Sequence, residues 1–340
     1  MTGKIMTAAK AAPGPRNAIT DVDGILVGEA VDPDAMTGVS VILPDPPCVC
    51  GADIRGGGPG TRETGTLLPE TLVDRIDALV LSGGSVYGLA AADGVTAAMG
   101  ADGRGFSLIP QEGVPVSPIV PAAILYDLAN SGNKDWGDKP PYTALGAEAY
   151  AAAGPEVKQG RAGAGFGARA GAYPGGLGTA SYITEDGWQI GAIAAVNSFG
   201  SPYMPGSDCF WAWPYELNDE FGGRRPGKDM PPSEGFPPDT KIGMPIARTN
   251  TTIAAVAVNL ALSKPQAKRL AIMAQDGLAR AIRPVHAPAD GDVVFALGTG
   301  RLDLPEPAPL SMTRLGTLAA DCLARAIARG VYTAEEAVKP

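Results

Sequence analysis

The junction near residue 250 constrains the fold most strongly, because two segments of opposite character meet there. Residues 203–248 are rich in proline and tryptophan without a regular pattern, which is unusual inside a compact domain. Residues 251–258 are apolar apart from two threonines and carry no charge, which indicates a buried strand. The sequence therefore predicts an exposed arm, partly docked by its aromatic side chains, that leads directly into a core strand.

The two threonines at this junction suggest a chemistry. A threonine hydroxyl is a weak nucleophile unless a base removes its proton. An N-terminal threonine can use its own α-amine, whose pKa is about 8. Thr251 lies inside the chain, so this role requires a cut between Asn250 and Thr251. The local pattern alone also fits a simple turn into a core strand.

Composition argues against several classes of protein. The chain has 340 residues and a net charge of -9, and no cluster of basic residues marks a nucleic-acid site. No apolar run is long enough for a membrane span, and the N-terminus lacks the pattern of a signal peptide. Scattered single cysteines suit a reduced compartment better than a disulfide scaffold. We therefore expect a cytoplasmic protein that binds neither nucleic acid nor a membrane.

The single histidine, His286, limits the possible catalytic machinery further. A serine or cysteine hydrolase with a catalytic histidine would have to use it, and a histidine-rich zinc site is impossible. His286 lies between prolines after a predicted helix, which favours a surface or hinge role. Residues 165–170 match GxGxxA, but no apolar strand precedes them, so we expect no dinucleotide. The sequence predicts no cofactor and no metal.

Strand and helix patterns alternate along the chain, which predicts a layered α/β or α+β domain. The strand over 189–197 ends on Asn197, an amide that suits either a turn or an oxyanion donor. The glycine-rich residues 51–65 suit either a surface crossover or the wall of a site. Strands are predicted over 17–43 (two strands), 76–81, 119–128, 181–184, 189–197, 251–258 and 293–297. Helices are predicted up to about residue 99 and over 142–153, 264–282 and 312–329.

Several motifs in a fixed order make the chain resemble the DmpA/BapA family of self-processing aminopeptidases (N-terminal nucleophile hydrolases), which includes the NylC nylon-oligomer hydrolases. The motifs are NAITDV at 17–22, RGGGPGTRE at 55–63, LSGGSVYG at 81–88, PIVPAAILYD at 118–127, GAG at 163–165, NTTI at 250–253 and DGD at 290–292. They extend over almost the whole sequence, so the resemblance covers one complete domain.

The resemblance implies an α+β fold of four layers, an αββα sandwich over 1–340. It implies self-cleavage into a large chain, 1–250, and a small chain, 251–340, that remain together. The activity it implies is hydrolysis of N-terminal residues of peptides or amides, or of ω-amino-acid oligomers, through an acyl-enzyme. It also implies a homo-oligomer, often a tetramer.

The resemblance further assigns roles to five side chains. Thr251 is the nucleophile, Asn197 the oxyanion donor, Asp290 and Asp292 the acidic pair that orients the nucleophile, and Tyr126 a residue that lines the site. One departure from the family is a lysine that commonly follows the GAG motif. Residues 169–176 contain Arg169 and no lysine, and a guanidinium does not replace an amine one for one.

Two other functions fit the same sequence. One is an acyltransferase of the same fold, similar to ornithine acetyltransferases, in which an amine takes the acyl group instead of water. The other is an unprocessed protein that binds a small ligand between its glycine loops. Cleavage of the chain would distinguish an enzyme from the unprocessed binding protein. The product formed with an added amine would distinguish the acyltransferase from the hydrolase.

Overall fold

The computed structural model describes residues 10–228, 236–242 and 250–338, and every structural statement below refers to these residues. The strands are β1 Ala11–Ala12, β2 Ile25–Asp32, β3 Thr37–Pro44, β4 Val49–Ile54, β5 Thr61–Arg62, β6 Leu79–Ser82, β7 Ala122–Ile124, β8 Arg169–Ala170, β9 Tyr173–Pro174, β10 Gly176–Thr184, β11 Gln189–Asn197, β12 Thr251–Leu260 and β13 Val293–Leu302. The helices are α1 Ala91–Ala101, α2 Tyr142–Ala151, α3 Lys264–Ala274, α4 Asp276–Ala281 and α5 Ala308–Glu336.

Two sheets carry the fold. The six-stranded sheet has the order β1-β10-β11-β12-β13-β4 and is antiparallel except for the parallel pair β12 and β13. The five-stranded sheet has the order β2-β3-β6-β7-β5, with β6 and β7 as its parallel pair. Strands β8 and β9 form a separate short ribbon.

Three apolar clusters divide the molecule into four layers. One cluster lies between the two sheets and includes Ile42, Leu81, Ile253 and Phe295. A second joins the outer face of the six-stranded sheet to α3, α4 and α5, and a third joins the outer face of the five-stranded sheet to α1 and α2. The αββα sandwich that the family resemblance implied is therefore confirmed.

Strand β12 is buried along its whole length and on both faces. Successive side chains of a strand point to opposite faces, and each face here meets its own apolar cluster. Ile253, Ala255 and Ala257 lie in the cluster between the sheets, and Ala254, Val256 and Val258 lie in the cluster under the helices. Double burial explains why this segment carries no charge.

The predicted strand over 119–128 is much shorter than expected, since only Ala122–Ile124 joins the sheet as β7. The chain then turns at Asp127, a buried carboxylate that accepts a hydrogen bond from the Gly84 N–H at 2.7 Å and from the Thr37 hydroxyl at 2.6 Å. Burial raises the pKa of this carboxyl, and the two donors oppose that effect. Tyr126, which precedes Asp127, therefore lies in the loop that follows β7.

The predicted helix over 264–282 is interrupted and forms α3 and α4. Ser263 caps α3 as expected, because its hydroxyl accepts from the Gln266 N–H. The break falls at Gln275, whose side-chain amide donates to the Asp53 carbonyl at 2.9 Å. The last helix, α5, extends beyond the predicted bounds at both ends.

The first part of the arm, residues 203–228, is docked against the body of the molecule. Tyr203, Phe210 and Phe221 are buried in the cluster that contains α5. Glu220 also forms an ion pair with Arg325 of α5, with two hydrogen bonds of 2.6 and 2.9 Å, and Arg325 is fully buried. The structure therefore shows docking by aromatic side chains in this part, as we predicted for part of the arm, whereas residues 229–235 and 243–249 lie outside the described residues.

The buried ion pair yields a stability prediction. Glu220→Ala leaves the Arg325 charge buried without its carboxylate, which should lower the free energy of unfolding by about 3–5 kcal/mol. Urea unfolding of both proteins measures this difference. The matched control is Asp208→Ala, because the Asp208–Arg224 pair is exposed on both sides and should contribute less than about 1 kcal/mol. Equal unfolding midpoints for the two variants would contradict the anchoring role.

Candidate active site

The end of β11 and the starts of β12 and β13 lie side by side at the same end of the six-stranded sheet. β12 begins with Thr251, and the antiparallel register places Asn197, the last residue of β11, directly opposite it. β13 runs parallel to β12, so the loop before Val293 lies at the same end of the sheet. This loop carries Asp290 and Asp292, and the sheet topology therefore brings four of the five predicted site residues together.

Thr251 is buried and lies against the peptide group that precedes it. Its hydroxyl donates a short hydrogen bond to the carbonyl oxygen of Asn250. The same oxygen accepts the backbone N–H of Gly291 at 3.0 Å. The carbonyl before Thr251 is thus polarised by a backbone donor and contacted by the hydroxyl of the next residue.

Close packing fixes this peptide group. A Cβ atom on Gly291 would lie 2.6 Å from the Thr251 Oγ1, so only glycine fits there. The glycine loop that contains Gly56 and Gly58 packs on the other side, because Gly58 donates to the Asp290 carbonyl at 2.8 Å and a Cβ on Gly56 would lie 2.2 Å from that same oxygen. Of the two roles open for this loop, the structure supports the wall of the site.

Asp292 links the start of β12 to His286 through its two carboxylate oxygens. Its Oδ1 accepts the Thr252 N–H at 2.7 Å. Its Oδ2 accepts the His286 N–H at 3.1 Å and lies 2.9 Å from the His286 Nδ1. His286 adopts a left-handed backbone with φ of 57°, which is uncommon for a residue other than glycine. The His286 side chain is 22% exposed, so it lies partly at the surface as predicted, and it also contacts Asp292, which the sequence did not predict.

Asp290 is buried beside Asp292. Its Oδ2 accepts the Ala287 N–H at 2.7 Å, and its Oδ1 has no hydrogen-bond partner among the described residues. Burial, followed by the negative charge of Asp292, raises the pKa of Asp290 to about 7, while Lys241 and His286 oppose the rise. A carboxyl with such a pKa can exchange a proton near neutral pH, which is typical of functional sites.

The side-chain amide of Asn197 has a defined orientation. Its Oδ1 accepts the Arg169 N–H at 3.0 Å and the Lys241 Nζ at 3.1 Å, while its Nδ2 donates to the Tyr126 carbonyl at 2.9 Å. Donors on one side and an acceptor on the other settle which atom is nitrogen. Asn197, Lys241 and the half-buried Tyr126 line one small cleft of about 20 Å³, so the structure places Tyr126 next to the oxyanion candidate.

Lys241 is the site residue that the sequence did not reveal. It comes from the described part of the arm, residues 236–242, and is fully buried. Burial lowers the pKa of its amine to about 7, the Asp290 charge opposes this, and Arg169 adds to it. The Arg169 guanidinium donates to the Ala172 carbonyl at 2.9 Å, so Arg169 contacts Asn197 only through its backbone. The amine beside Asn197 therefore comes from a different segment than the family motif suggested.

The described part of the chain contains neither a candidate metal-binding cluster nor a candidate membrane-spanning helix. No group of three or more His, Cys, Asp or Glu side chains could hold a metal ion there. No helix in the same ranges combines the length and apolar character needed to cross a bilayer. All four cysteines are buried free thiols.

Solved structures similar to this one include two proteins described as aminopeptidases. The chain matches the L-aminopeptidase D-Ala-esterase/amidase of Ochrobactrum anthropi, a variant of the Ntn-hydrolase fold, with a TM-score of 0.68 and 21% identity over 94% of this chain and 87% of that one. It matches a β-aminopeptidase of Burkholderia sp. with a TM-score of 0.66 and 24% identity over 94% and 88% of the two chains. The fold class is therefore that of the N-terminal nucleophile hydrolases.

The sequence comparisons define the family within this class. The chain belongs to peptidase family S58, whose family model matches residues 17–340. It is 44% identical to an uncharacterized aminopeptidase of Mycobacterium tuberculosis over 94% of each chain. It is 31% identical to the 6-aminohexanoate-oligomer endohydrolase of Kocuria sp. over 87% of this chain and 78% of that protein. The protein is a hydrolase that acts on amide bonds, as the sequence predicted.

The contact between His286 and Asp292 leads to a prediction about turnover. His286→Asn removes the imidazole from the Asp292 Oδ2, yet asparagine tolerates the left-handed backbone. A hydrogen bond to a charged group contributes about 1.5–3 kcal/mol, so turnover should fall roughly ten-fold or more. Steady-state amide hydrolysis measures it, and circular dichroism confirms the fold.

His286→Ala serves as the comparison variant, because it removes the same imidazole but leaves a residue less suited to this backbone. Similar losses in both variants would assign the effect to the imidazole. Full turnover in a folded His286→Asn protein would contradict a contribution of His286 to the site.

Proposed function

We propose that the protein is an autoproteolytically activated amide hydrolase whose nucleophile is Thr251. The observation that carries the proposal is the contact between the Thr251 hydroxyl and the Asn250 carbonyl, whose oxygen also accepts the Gly291 N–H at 3.0 Å. A nucleophile and an oxyanion donor thus lie on the same peptide group. That arrangement supports attack on this bond by the residue that follows it.

In this proposal self-cleavage proceeds in two steps, formation of an ester and its hydrolysis. The Thr251 oxygen attacks the Asn250 carbonyl carbon, the C–N bond breaks, and the hydroxyl proton goes to the departing nitrogen. The product is an ester between the Asn250 acyl group and the Thr251 oxygen. Water then hydrolyses the ester, which leaves a carboxylate on Asn250 and a free α-amine and hydroxyl on Thr251. A backbone donor such as Gly291 contributes about 3–4 kcal/mol to stabilising each oxyanion.

The new α-amine then becomes the base for turnover. Its ordinary pKa of about 8 lets it take the proton of the Thr251 hydroxyl when a substrate carbonyl is attacked. The buried Asp290 Oδ1, which has no hydrogen-bond partner among the described residues, is the acceptor that we assign to the resulting ammonium. Asp292 holds the Thr252 N–H and keeps the start of the strand in place.

Asn197 and Tyr126 complete the site. Asn197 lies opposite Thr251 in the sheet register, and we assign its side-chain amide as the donor to the substrate oxyanion. The Tyr126 ring lines the cleft beside it and contacts the substrate. The related aminopeptidases and the oligomer endohydrolase support small peptides, amides or ω-amino-acid oligomers as the substrate class.

Replacement of each threonine in turn tests the nucleophile. Thr251→Val should abolish both self-cleavage and amide hydrolysis, because it removes the attacking oxygen. The wild-type chain of 34.5 kDa should give fragments of about 25 and 9 kDa on a denaturing gel, in proportion to the 250 and 90 residues on either side of the cut. N-terminal sequencing of the small fragment should begin at Thr251.

Thr252→Val is the matched control for this experiment. The Thr252 Oγ1 is buried without a hydrogen-bond partner in the described part of the chain, so its removal should be nearly neutral. Cleavage should therefore persist in this variant. A single intact band from the wild-type chain would instead support the unprocessed ligand-binding protein.

A second prediction concerns the donor to the Asn250 carbonyl. Gly291→Ala places a methyl group 2.6 Å from the Thr251 Oγ1 and should displace the nucleophile. Alanine keeps the backbone N–H, but a misplacement of about 1 Å can cost about 10²-fold in rate, so cleavage in this variant should slow by about that much. A time course on denaturing gels measures it.

Gly58→Ala is the control from the facing loop, where a Cβ would lie 3.7 Å from its nearest neighbour, an ordinary van der Waals contact. This variant should be processed at close to the normal rate. Equal rates for the two alanine variants would argue against the tight placement of Gly291.

A further inference from the structure

The fully buried Lys241 is an anomaly that the reaction steps above do not use. Burial of a charged amine is costly unless strong partners compensate for the lost water. Its Nζ lies 3.1 Å from the backbone carbonyl of Asn197 and 3.1 Å from the Oδ1 of the same residue. Lys241 therefore holds the residue opposite Thr251 at two points.

The segment that carries Lys241 is fixed by its own backbone. The Lys241 N–H donates to the Phe199 carbonyl at 3.0 Å, and the Ala172 N–H donates to the Asp239 carbonyl at 2.8 Å. The Ser201 hydroxyl donates to the Asp239 carboxylate. Residues 236–242 are therefore anchored to the loop that follows β11 as well as to Asn197.

We propose that Lys241 is a positioning residue of the active site, which orients the Asn197 amide toward the oxyanion and keeps residues 236–242 in the site after cleavage. The proposal rests on the proposed function, in which Asn197 stabilises the oxyanion. Lys241 lies in the part of the chain that precedes the cut, so the end of the large chain remains a working part of the enzyme.

The physical argument concerns the orientation of one amide. The Asn197 Oδ1 accepts from the Arg169 N–H and from the Lys241 amine, which directs the Nδ2 hydrogens away from both donors. A hydrogen bond from an ionised donor is about twice as strong as a neutral one, so Lys241 is the stronger of the two restraints when its amine is protonated. Without it the amide has greater freedom to rotate, and the loss falls on the transition state, where the oxyanion exists.

The charge of Lys241 also acts on Asp290. Among the described residues, the charges of Asp290 in the loop before β13 and of Arg169 in β8 act on the amine. Lys241 lowers the pKa of Asp290, which burial and Asp292 raise. Removal of the amine therefore raises the pKa of Asp290 further. Any limb of the pH–rate profile that reports Asp290 must then move to higher pH.

The test compares Lys241→Met, Lys241→Arg and Lys228→Ala. Methionine keeps the apolar stem and removes the buried charge, so the protein should fold, because replacement of a buried charge by a well-packed apolar group is often tolerated. Lys228 is the matched control, an exposed lysine of the same arm. Cleavage on gels, kcat and KM for amide hydrolysis, and the pH–rate profile are measured for each variant.

In Lys241→Met we expect kcat to fall at least ten-fold with little change in KM, and the Asp290 limb to move to higher pH. Lys241→Arg retains the charge, so it should keep the limb in place and recover part of kcat. Lys228→Ala should match the wild type. The intact mass of the large fragment in active enzyme should include residue 241.

Several outcomes would overturn the proposal. One is a Lys241→Met enzyme with normal kcat and pH profile, even if its urea midpoint falls, since that would be a structural role only. Another is active enzyme whose large fragment lacks residue 241. If Thr251→Val is inactive while Lys241→Met is normal, only the Lys241 proposal fails. If Thr251→Val still cleaves and hydrolyses amides, the proposed function itself fails.

Discussion

Burial of β12 on both faces is the constraint on which the rest of the structure depends. A strand packed between two apolar clusters cannot shift its register without moving every side chain to the wrong face. Its first residue is therefore placed as firmly as its core. Thr251 inherits this rigidity, and so does the Asn250 carbonyl that lies against its hydroxyl. Groups held by rigid strands keep reactive geometry better than groups on loops.

Acidic and basic side chains lie together around the start of β12. Asp290 and Asp292 are buried side by side, and the pKa of Asp290 is raised first by its burial and then by the charge of Asp292. Lys241 lies on the Asn197 side and His286 on the Asp292 side. The charge of Lys241 lowers the pKa of Asp290, and the His286 ring contacts the Asp292 carboxylate. The site thus combines low water access with groups that change charge near neutral pH.

Much of this architecture could be predicted from the sequence, because it depends on local patterns. The end of β11 at Asn197, the start of β12 at Thr251 and the DGD motif before β13 all coincide with changes in hydrophobic pattern. The order of strands in each sheet then brings these ends together. Family resemblance supplied the four layers, which periodicity alone had left open between α/β and α+β.

The residues that sequence reasoning missed depend on contacts distant in the chain or on backbone conformation. Lys241 reaches Asn197 only because the arm folds back over the loop after β11, and no periodic pattern marks that path. His286 lies six residues before Asp292, a spacing that suggests a contact only if the turn between them is tight. The left-handed conformation of His286 closes that turn. The motif spacing could raise His286 as a candidate but could not choose it over a surface position.

The order of strands in the six-stranded sheet has a consequence for the integrity of a cut chain. Segment 251–338 supplies the two strands β12 and β13, and these lie between β11 and β4 of the preceding segment. A nick at the start of β12 therefore opens no new sheet edge, since both flanking ladders stay closed. Departure of the shorter piece would expose four unpaired strand edges, those of β11 and β4 on the remaining piece and those of β12 and β13 on the departing piece, which favours aggregation over separate survival. Two pieces produced by the proposed cut would consequently behave as one folding unit, joined by backbone hydrogen bonds instead of a peptide bond.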